Sequence, residues 1–255
     1  MRFATMGSGS KGNATIVDER ESALLIDCGL SYARVKALAI KQNYNLEKLD
    51  GIFVTHEHND HISGVRGLSK GLKIPVYATS GTIAASGKRF NDVYDLQEIE
   101  PEATIFLGPF EITPVIVPHD AREPCQFIIK ANGKRLGILT DLGHVTSYVR
   151  GMYEALDAMI LEFNHDTDML WASEYNHALK TRISGPYGHL SNSQSEEFLG
   201  TINCKQLDYL VAAHLSERTN SSSDVLACLA RSVPAVVNTY IATQAHCSPW
   251  FDLNL

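Results

Sequence analysis

The sequence has no long apolar run and no excess of basic charge, and each absence excludes a class of protein. No window approaches the ~18 uncharged apolar residues that indicate a transmembrane helix. The glycine-rich segment Met1 to Ser10 has no apolar core of the signal-peptide type, so a cytoplasmic location is the expectation. With 22 Lys and Arg against 29 Asp and Glu, the formal net charge of −7 argues against nonspecific wrapping of nucleic acid, although a local basic groove stays open.

The cysteines form neither a CxxC pair nor an even-numbered set. The five are Cys28, Cys125, Cys204, Cys228 and Cys247. This pattern argues against a disulfide framework and against a thiolate zinc site. We therefore expect reduced, buried thiols that pack as small apolar side chains.

The composition is that of a globular chain with a substantial core. Hydrophobic residues make up 44% of the 255 positions and charged residues 20%. No linker, charge block or low-complexity run marks a domain boundary, so we predict a single domain spanning residues 1–255. Apolar strands that alternate with amphipathic helices favour a layered α/β fold.

Apolar periodicity and turn residues locate the secondary structure. Strands are predicted at 2–6, 13–18, 23–26, 51–54, 104–107, 110–117, 126–130, 135–139, 158–161, 210–213 and 235–240. Helices are predicted at 32–42, 61–70, 192–199 and 223–230. The strands at 23–26 and 135–139 run into similar Asp-x-Gly turns at Asp27 and Asp141, a faint repeat that chance and a duplicated half-fold explain equally well.

One short segment, Thr55 to His61, concentrates chemically active side chains directly after an apolar strand. Its histidines and carboxylates are His56, Glu57, His58, Asp60 and His61. Imidazole nitrogens and carboxylate oxygens suit zinc, manganese or iron, and the HExxH pattern of zincins is absent. Side chains two apart share a face, so His56 and His58 can hold one metal, while the last two residues can face a second. A solvated polar loop is disfavoured, because such clustering is costly without a cation.

The HxHxDH order after a strand resembles the signature of the metallo-β-lactamase superfamily. The resemblance implies an α/β fold, a four-layer αβ/βα sandwich with two central mixed sheets flanked by helices. It also implies that Asp27 orients the metal-binding loop and that further metal ligands stand at strand ends. The implied ligands are His56, His58 and His119 for the first metal, Asp60, His61 and His214 for the second, and Asp141 as a bridging carboxylate.

The implied chemistry is hydrolysis at two divalent metal ions, which would be zinc, manganese or iron. A water that bridges two cations loses a proton near neutrality and becomes the hydroxide nucleophile. The aspartate at the bridging position favours the phosphodiesterase and thioesterase branches of the superfamily. The segment Gly188 to Asn192 resembles a motif of ribonuclease Z relatives, which makes His189 the candidate general acid, beside Asp60 as the other catalytic residue. The same segment fits a helix start capped by Ser191, and both interpretations can hold.

Motifs along nearly the whole chain resemble the bacterial YycJ/WalJ-type group of that superfamily. They are Ser8 to Asn13, Asp27 to Gly29, Pro118 to Ala121, Thr140 to Gly143, Glu162 to Asp166, Gly188 to Asn192 and Ala213 to Ser216. That group is associated with exonuclease activity on DNA in the 5′ to 3′ direction, which implies a DNA substrate here. The resemblance also places His165 and Asp166 beside the metal site.

Weaker signals concern the contacts with a substrate. The candidates are Ser8, Ser10, Lys11, Asn13, Lys180 and Arg182. The first four lie in a glycine-rich turn whose amides could hold a phosphate, and a plain hairpin fits equally well. The last two could contact a phosphodiester backbone, although a solvated pair of charges is the commoner case.

Two other functions stay open at this point. A small-molecule hydrolase of the same fold, either a cyclic phosphodiesterase or a thioesterase, is mildly favoured by the net acidity. A metal-stabilised binding module without activity would keep the same ligand set. A calorimetric metal titration paired with an activity screen would separate the enzyme from the module.

Overall fold

The structure, a computed structural model, describes residues 1–254 and contains two seven-stranded β-sheets. The strands of the first half are β1 (Arg2–Gly7), β2 (Ala14–Glu19), β3 (Ser22–Ile26), β4 (Leu49–Phe53), β5 (Val76–Thr79) and β6 (Leu96–Ile99). Those of the second half are β7 (Ile105–Leu107), β8 (Phe110–Ile116), β9 (Cys125–Ala131), β10 (Lys134–Leu139), β11 (Ala158–Glu162), β12 (Tyr209–Ala213) and β13 (Asn238–Ile241). The last strand, β14 (Phe251–Asp252), returns to the first sheet and pairs with β1.

Helices cover the outer faces of both sheets. In chain order they are α1 (Tyr32–Lys41), α2 (Asn59–Ile62), α3 (Val65–Leu72), α4 (Ser80–Ser86), α5 (Ser147–Met152), α6 (Thr167–Ala172), α7 (His177–Ile183), α8 (Asn192–Leu199) and α9 (Ser222–Ser232). Leu38 of α1 and Leu68 of α3 belong to the apolar cluster on the outside of the first sheet. Val149 of α5 and Phe198 of α8 belong to the corresponding cluster on the second sheet.

The central strands are apolar on both faces because both faces are covered. In β3, Leu24 belongs to the core between the two sheets and Leu25 to the cluster under the helices. Phe53, at the end of β4, crosses the central core, and its ring lies 5.7 Å from that of Phe127 in β9. Strands buried on both sides do not alternate between polar and apolar residues, which explains the continuous apolar runs in the sequence.

The topology brings the carboxyl ends of several strands to one edge of the sandwich. β3 to β6 are parallel neighbours in the first sheet, and β10 to β13 are parallel neighbours in the second. β8 runs in the same direction as β10, because each is antiparallel to β9. The loops that follow β3, β4, β8, β10, β11 and β12 therefore share an edge, which is where α/β sheets usually bind ligands.

The four-layer sandwich with two mixed sheets is confirmed, and the differences from the predicted elements have local causes. The helix predicted at 61–70 is divided into α2 and α3 at Gly64, whose N–H bonds the carbonyl of Cys28 at 2.7 Å. The closing strand predicted at 235–240 begins only at Asn238, because the N–H of Val237 bonds the carbonyl of Pro234 in a turn. The elements β5, β6 and α4 to α7 are not predicted, since four to seven residues are too few for a clear periodicity.

The cysteines are free thiols, and only Cys247 among them is more than slightly exposed. Within residues 1–254, every helix is too short or too polar to cross a membrane.

Candidate active site

Loops at the shared edge bring the chemically active side chains together. The segment after β4 carries His56, His58, Asp60 and His61. Five further side chains follow the ends of other strands: Asp27 after β3, His119 after β8, Asp141 after β10, Glu162 at the end of β11 and His214 after β12. His189 precedes α8. Asp27, Asp141 and His214 have φ angles of 58°, 54° and 57°. Such left-handed backbone is uncommon outside glycine and turns the chain sharply at the strand end. Three strand ends of this edge are therefore strained in the same way.

The first cluster, called the three-histidine position below, consists of His56, His58 and His119. Nε2 of His56 lies 3.0 Å from Nδ1 of His58, which lies 3.3 Å from Nε2 of His119. Imidazole nitrogens around a tetrahedral zinc ion are about 3.3 Å apart, given Zn–N bonds of about 2.0–2.1 Å. The spacing of the three nitrogens is therefore that of ligands around one ion.

The second cluster, called the mixed position below, consists of Asp60, His61 and His214. Oδ2 of Asp60 lies 3.5 Å from Nε2 of His61 and 3.4 Å from Nε2 of His214. Asp141 stands between the two positions, because its Oδ2 is 3.3 Å from Nε2 of His61 and because it also groups with His56. One carboxylate is thus placed to serve both positions.

Asp141 gives the clearest sign that the site is built for cations. The residue is only 1% exposed, and its Oδ2 makes no well-aligned hydrogen bond among the described residues, although Nε2 of His61 approaches it to 3.3 Å. A buried carboxylate oxygen in this position is costly unless a cation, either a metal ion or a protonated imidazole, neutralises it. Oxygen and imidazole donors without sulfur suit zinc, manganese or iron. The residues at this edge therefore fit divalent metal ions.

Contacts behind the metal positions orient the histidines of the first loop. Asp27 accepts hydrogen bonds from the N–H and the hydroxyl of Thr55, both at 2.9 Å. Its Oδ2 also accepts from Nδ1 of His61 at 2.8 Å, and the Thr55 hydroxyl lies 3.0 Å from Nδ1 of His56. The Nε2 atoms of both histidines are thereby left for an ion. Asp27 was expected here, whereas Thr55 was not.

Glu162, named from the sequence only as the first residue of a resembling motif, has a role in the site that was not predicted. It is fully buried, and its Oε1 lies 2.9 Å from Nδ1 of His189 and 2.9 Å from Nδ1 of His214. Its Oε2 accepts the N–H of Leu190 at 3.0 Å. The available signal was a lone carboxylate at the end of the otherwise apolar strand β11. Glu162 connects a histidine of the mixed position to the candidate general acid.

Burial and nearby charges give the two positions opposite protonation. Burial, assisted by repulsion from His61, holds the pKa of His56 well below 6.5, and burial lowers the pKa of His119 to about 4. At the mixed position burial also opposes charge, but carboxylates led by Asp141 outweigh it. They raise the pKa of His61 well above its usual range and that of His214 to about 10.

The carboxylates of the site are held in the ionised form. Burial opposes their charge, yet His61 and His214 keep the pKa values of Asp60 and Asp141 well below the usual range. Burial likewise opposes the ionisation of Glu162, but neighbouring imidazoles, first that of His189, lower its pKa to about 2. In the metal-free protein, histidine protons therefore balance the acidic charge at the mixed position.

Comparison with known proteins agrees with this geometry. A family model described as "Beta-lactamase superfamily domain" matches residues 23–211. The chain belongs to the metallo-β-lactamase superfamily. It is 32% identical over 223 residues to Exodeoxyribonuclease YycJ of Bacillus anthracis, a match that covers 86% of this chain and 84% of the relative.

Two further similarities extend over most of the chain. Exodeoxyribonuclease WalJ of Streptococcus pneumoniae serotype 2 is 32% identical over 223 residues, covering 86% of this chain and 83% of the relative. The crystal structure of Zn(2+)-bound PqqB from Methylobacterium extorquens superposes with a TM-score of 0.75 at 18% identity, covering 99% of this chain and 100% of that one. The relatives indicate the YycJ/WalJ-type group, and the solved structure indicates the metallo-β-lactamase fold.

The segment that resembles the ribonuclease Z motif has both of its expected features. Ser191 caps α8 by accepting the N–H of Gln194 at 3.3 Å, and its own N–H bonds Oε1 of Gln194 at 2.9 Å. The ring of His189 lies 5.2 Å from those of His119 and His214, and its side chain is 19% exposed. The cap and the histidine at the metal edge therefore coexist.

His165 and Asp166 lie farther from the metal positions. Nδ1 of His165 is 3.4 Å from Oδ1 of Asn164, whose amide nitrogen is 3.4 Å from Nδ1 of His214. Asp166 caps α6 by accepting the N–H of Met169 at 2.9 Å. His165 is thus connected to the mixed position through Asn164. The side chain of Asp166 instead caps the N-terminus of α6.

The turn at residues 8–13 lies directly against the mixed position. The Asn13 amide nitrogen is 3.4 Å from Oδ2 of Asp60, and Oγ of Ser8 accepts the N–H of His214 at 2.8 Å. Ser10 is exposed, and Lys11 pairs with Glu217. The turn therefore forms one wall of the site.

The two basic candidates on α7 are both engaged within the protein. Nζ of Lys180 donates to the carbonyl of Trp171 at 2.6 Å, which ties α7 to α6. Nε of Arg182 donates to Oδ2 of Asp120, the residue after His119. Arg182 is 57% exposed, so the rest of its guanidinium faces solvent beside the three-histidine position.

Proposed function

We propose that this protein is a metal-dependent DNA exonuclease that acts in the 5′ to 3′ direction in the cytoplasm with two divalent ions, zinc, manganese or iron. The pair of adjacent metal positions, with Asp141 between them and His189 beside them, carries the proposal. A phosphodiester is the substrate that this arrangement serves best, since its negative oxygens need cations and its leaving oxygen needs a proton. The relatives named exodeoxyribonucleases support the choice of DNA.

The ligand residues would divide between the two ions by position. His56, His58 and His119 would hold the first ion, Asp60, His61 and His214 the second, and Asp141 would be shared. When bound, the two ions would acidify a water and neutralise charge on the phosphoryl oxygens. Asp60 is the most exposed ligand of the mixed position, at 21%. Its proposed catalytic role is to orient the attacking water.

His189 is the proposed proton donor to the leaving oxygen. Glu162 accepts from its Nδ1 at 2.9 Å, so Nε2 is the nitrogen left to carry a proton to the substrate. The hydrogen bond to Glu162 fixes the orientation of the His189 ring. Glu162 is therefore the proposed positioning residue for the acid.

Phosphate contacts are proposed on both sides of the metal edge. On one side stand Ser8, Ser10, Lys11 and Asn13, and on the other Lys180 and Arg182. Asp120 fixes Arg182 through Nε, which leaves the two terminal nitrogens of the guanidinium for a phosphate oxygen pair. Nζ of Lys180 donates to a carbonyl, so this contact does not pair its charge with a carboxylate.

A linear duplex labelled at either end tests this proposal. We expect the purified protein, supplied with manganese or zinc, to release a 5′ label at once as a mononucleotide and to shorten a 3′-labelled strand progressively. The Asp60→Ala variant should do neither. Release that begins at the 3′ end would contradict the polarity. Turnover of a small chromogenic phosphodiester without any attack on DNA would instead favour a small-molecule hydrolase, the alternative that the net charge of −7 supports.

A further inference from the structure

A cavity of about 210 Å³ opens beside the mixed position and has no part in holding the metals. Three loops line it: the turn after β1, the segment between β12 and α9, and the segment after β13. Ser8 belongs to its wall and accepts the N–H of His214 at 2.8 Å. Leu215, the next residue along the chain, also lines it. The cavity therefore begins one residue away from a metal-position histidine.

The lining combines apolar surfaces with a few polar groups. Leu215, Ile241 and Ala242 supply apolar surface, and Ser216 supplies a hydroxyl. Among the described residues, the lining includes no Lys, Arg or His, so the cavity is a poor place for a phosphate. A volume of about 210 Å³, below the ~300 Å³ at which drug-sized sites begin, suits a small planar group such as a nucleobase.

Glu217 gives the cavity its chemical preference. Nζ of Lys11 contacts its Oε2 at 2.5 Å, and the N–H of Lys11 bonds the side-chain oxygen of Gln244. The ion pair, in which Glu217 is half-exposed, directs one carboxylate oxygen to Lys11, and the other oxygen can meet a ligand. A carboxylate accepts hydrogen bonds and repels phosphates, and the edge of a nucleobase can present two N–H donors side by side in one plane, which matches the two oxygens of a carboxylate better than a single hydroxyl does.

We propose that this cavity is a subsite for the nucleobase of the terminal nucleotide, with an N–H edge of the base directed at Glu217. The inference rests on the proposed function and adds to it the recognition of the base at the end of the DNA strand. Apolar walls would contact the faces of the base while the phosphate lies at the metal positions. Guanine would bind best, because its N1–H and its amino group can both face one carboxylate. An unpaired or frayed end would enter more readily than a paired one.

Binding of two matched ligands to the zinc-loaded protein tests the subsite without any turnover. The probes are 2′-deoxyguanosine 5′-monophosphate and 2-deoxyribose 5-phosphate, which lacks the base. We expect the nucleotide to bind about tenfold more tightly or better, as one charge-assisted hydrogen bond and the apolar contact of one base would provide. Equal affinities for the two ligands would overturn the proposal.

Two variants locate that preference in the cavity. Ala245→Trp fills the cavity from an exposed position and should remove the preference for the nucleotide. Glu217→Gln should weaken nucleotide binding by about tenfold, because the carboxylate acceptor is lost. Ala230→Trp, exposed on α9 outside the lining, is the matched control and should keep the wild-type preference. An undiminished preference in Ala245→Trp and Glu217→Gln would overturn the assignment.

The same variants separate this inference from the proposed function. In Ala245→Trp, the ratio of kcat/KM on DNA to kcat/KM on a small chromogenic phosphodiester should fall about tenfold. An equal loss on both substrates would mean that the cavity is only structural. If the wild type cleaved no DNA but kept the nucleotide preference, the DNA substrate would be wrong and the subsite would stand.

Discussion

The three-histidine position and the mixed position share one edge of the sandwich but differ in charge. At the first, His56 and His119 have lowered pKa values, about 4 for His119. At the second, carboxylates raise the pKa of His61 well above its usual range and that of His214 to about 10. A divalent ion therefore meets the neutral imidazoles of His56 and His119 at one position and protonated imidazoles paired with carboxylates at the other.

The placement of the carboxylates causes this difference. Those in contact with the imidazoles of the mixed position are Asp27, Asp60, Asp141 and Glu162. Near the three-histidine position stands Asp120, whose Oδ1 is 3.8 Å from Nε2 of His58 and whose other oxygen pairs with Arg182. Protons thus substitute for the second ion in the metal-free protein. The two positions should differ in how they load, although both are needed for turnover.

Removing one ligand from each position should have the largest effect. We expect Asp60→Ala and His58→Ala each to lower kcat by about 10³-fold or more, because each position supplies a cation to the reaction. Both side chains are partly exposed, at 21% and 28%, so the variants should still fold. Elemental analysis should find that Asp60→Ala keeps an ion at the three-histidine position and that His58→Ala does not.

Circular dichroism and thermal melts of both variants control for misfolding. Full activity in a demonstrably metal-depleted His58→Ala protein would rule out the dinuclear account. Loss of both ions from Asp60→Ala would show that the two positions do not load separately.

Removing the proposed acid should have the next largest effect and should leave both positions loaded. His189→Ala is expected to lower kcat on DNA by about 10²- to 10⁴-fold, the usual contribution of a general acid. The loss should be much smaller on bis(p-nitrophenyl) phosphate, whose leaving group needs no proton. His144→Ala, which removes an exposed histidine bonded to the carbonyl of Pro186, is the matched control. Equal losses on the two substrates would remove the acid role from His189.

Disturbing Glu162 should affect the mixed position and the acid together. Its Oε1 contacts Nδ1 of both His189 and His214, so Glu162→Gln cannot satisfy both rings and the N–H of Leu190 at once. We expect turnover and zinc affinity at the mixed position each to fall about 10- to 100-fold. Zinc affinity at the three-histidine position should stay unchanged, which a competitive chelator titration measures. A loss of affinity at both positions would mean that Glu162 supports the whole edge.

The pH dependence of metal loading should show the smallest difference between the positions. His61 and His214 have raised pKa values and are protonated at pH 7, so an ion at the mixed position must displace protons. Its affinity should fall as the pH is lowered from 8 to 6, by about tenfold per unit for each proton displaced. Titrations in buffers of different ionisation enthalpy count the protons. Equal proton release at both positions would contradict the charge difference.

Two kinds of site residue could be predicted from the sequence: residues that are adjacent to one another in the chain, and residues that match the pattern of a known family. The loop from Thr55 to His61 stands out because its ligand side chains are adjacent in sequence. His119, Asp141 and His214 are separate strand-end residues, and only the resemblance to a superfamily singled them out. A layered α/β fold followed from strands that are apolar throughout, since both faces of each sheet are covered, whereas the four-layer sandwich was implied by the resemblance.

The parts that could not be predicted depend on contacts between distant segments. The position of Glu162 at the end of an apolar strand does not reveal its role, because that role arises only when β11 lies beside β12 and the loop before α8. Thr55 is likewise defined by its two hydrogen bonds to Asp27, 28 positions earlier in the chain. The partners of Lys180 and Arg182 are also set by packing, since a carbonyl of α6 and Asp120 meet them only in the fold.

A diffraction experiment on zinc-soaked crystals, with anomalous data collected on both sides of the zinc edge, tests the two-position site most directly. It should show two peaks, one within bonding distance of His56, His58 and His119 and one within bonding distance of Asp60, His61 and His214, with Asp141 contacting both. A single peak at saturating zinc, or a second peak held by His189 and Glu162 in place of Asp60, would contradict the site described above.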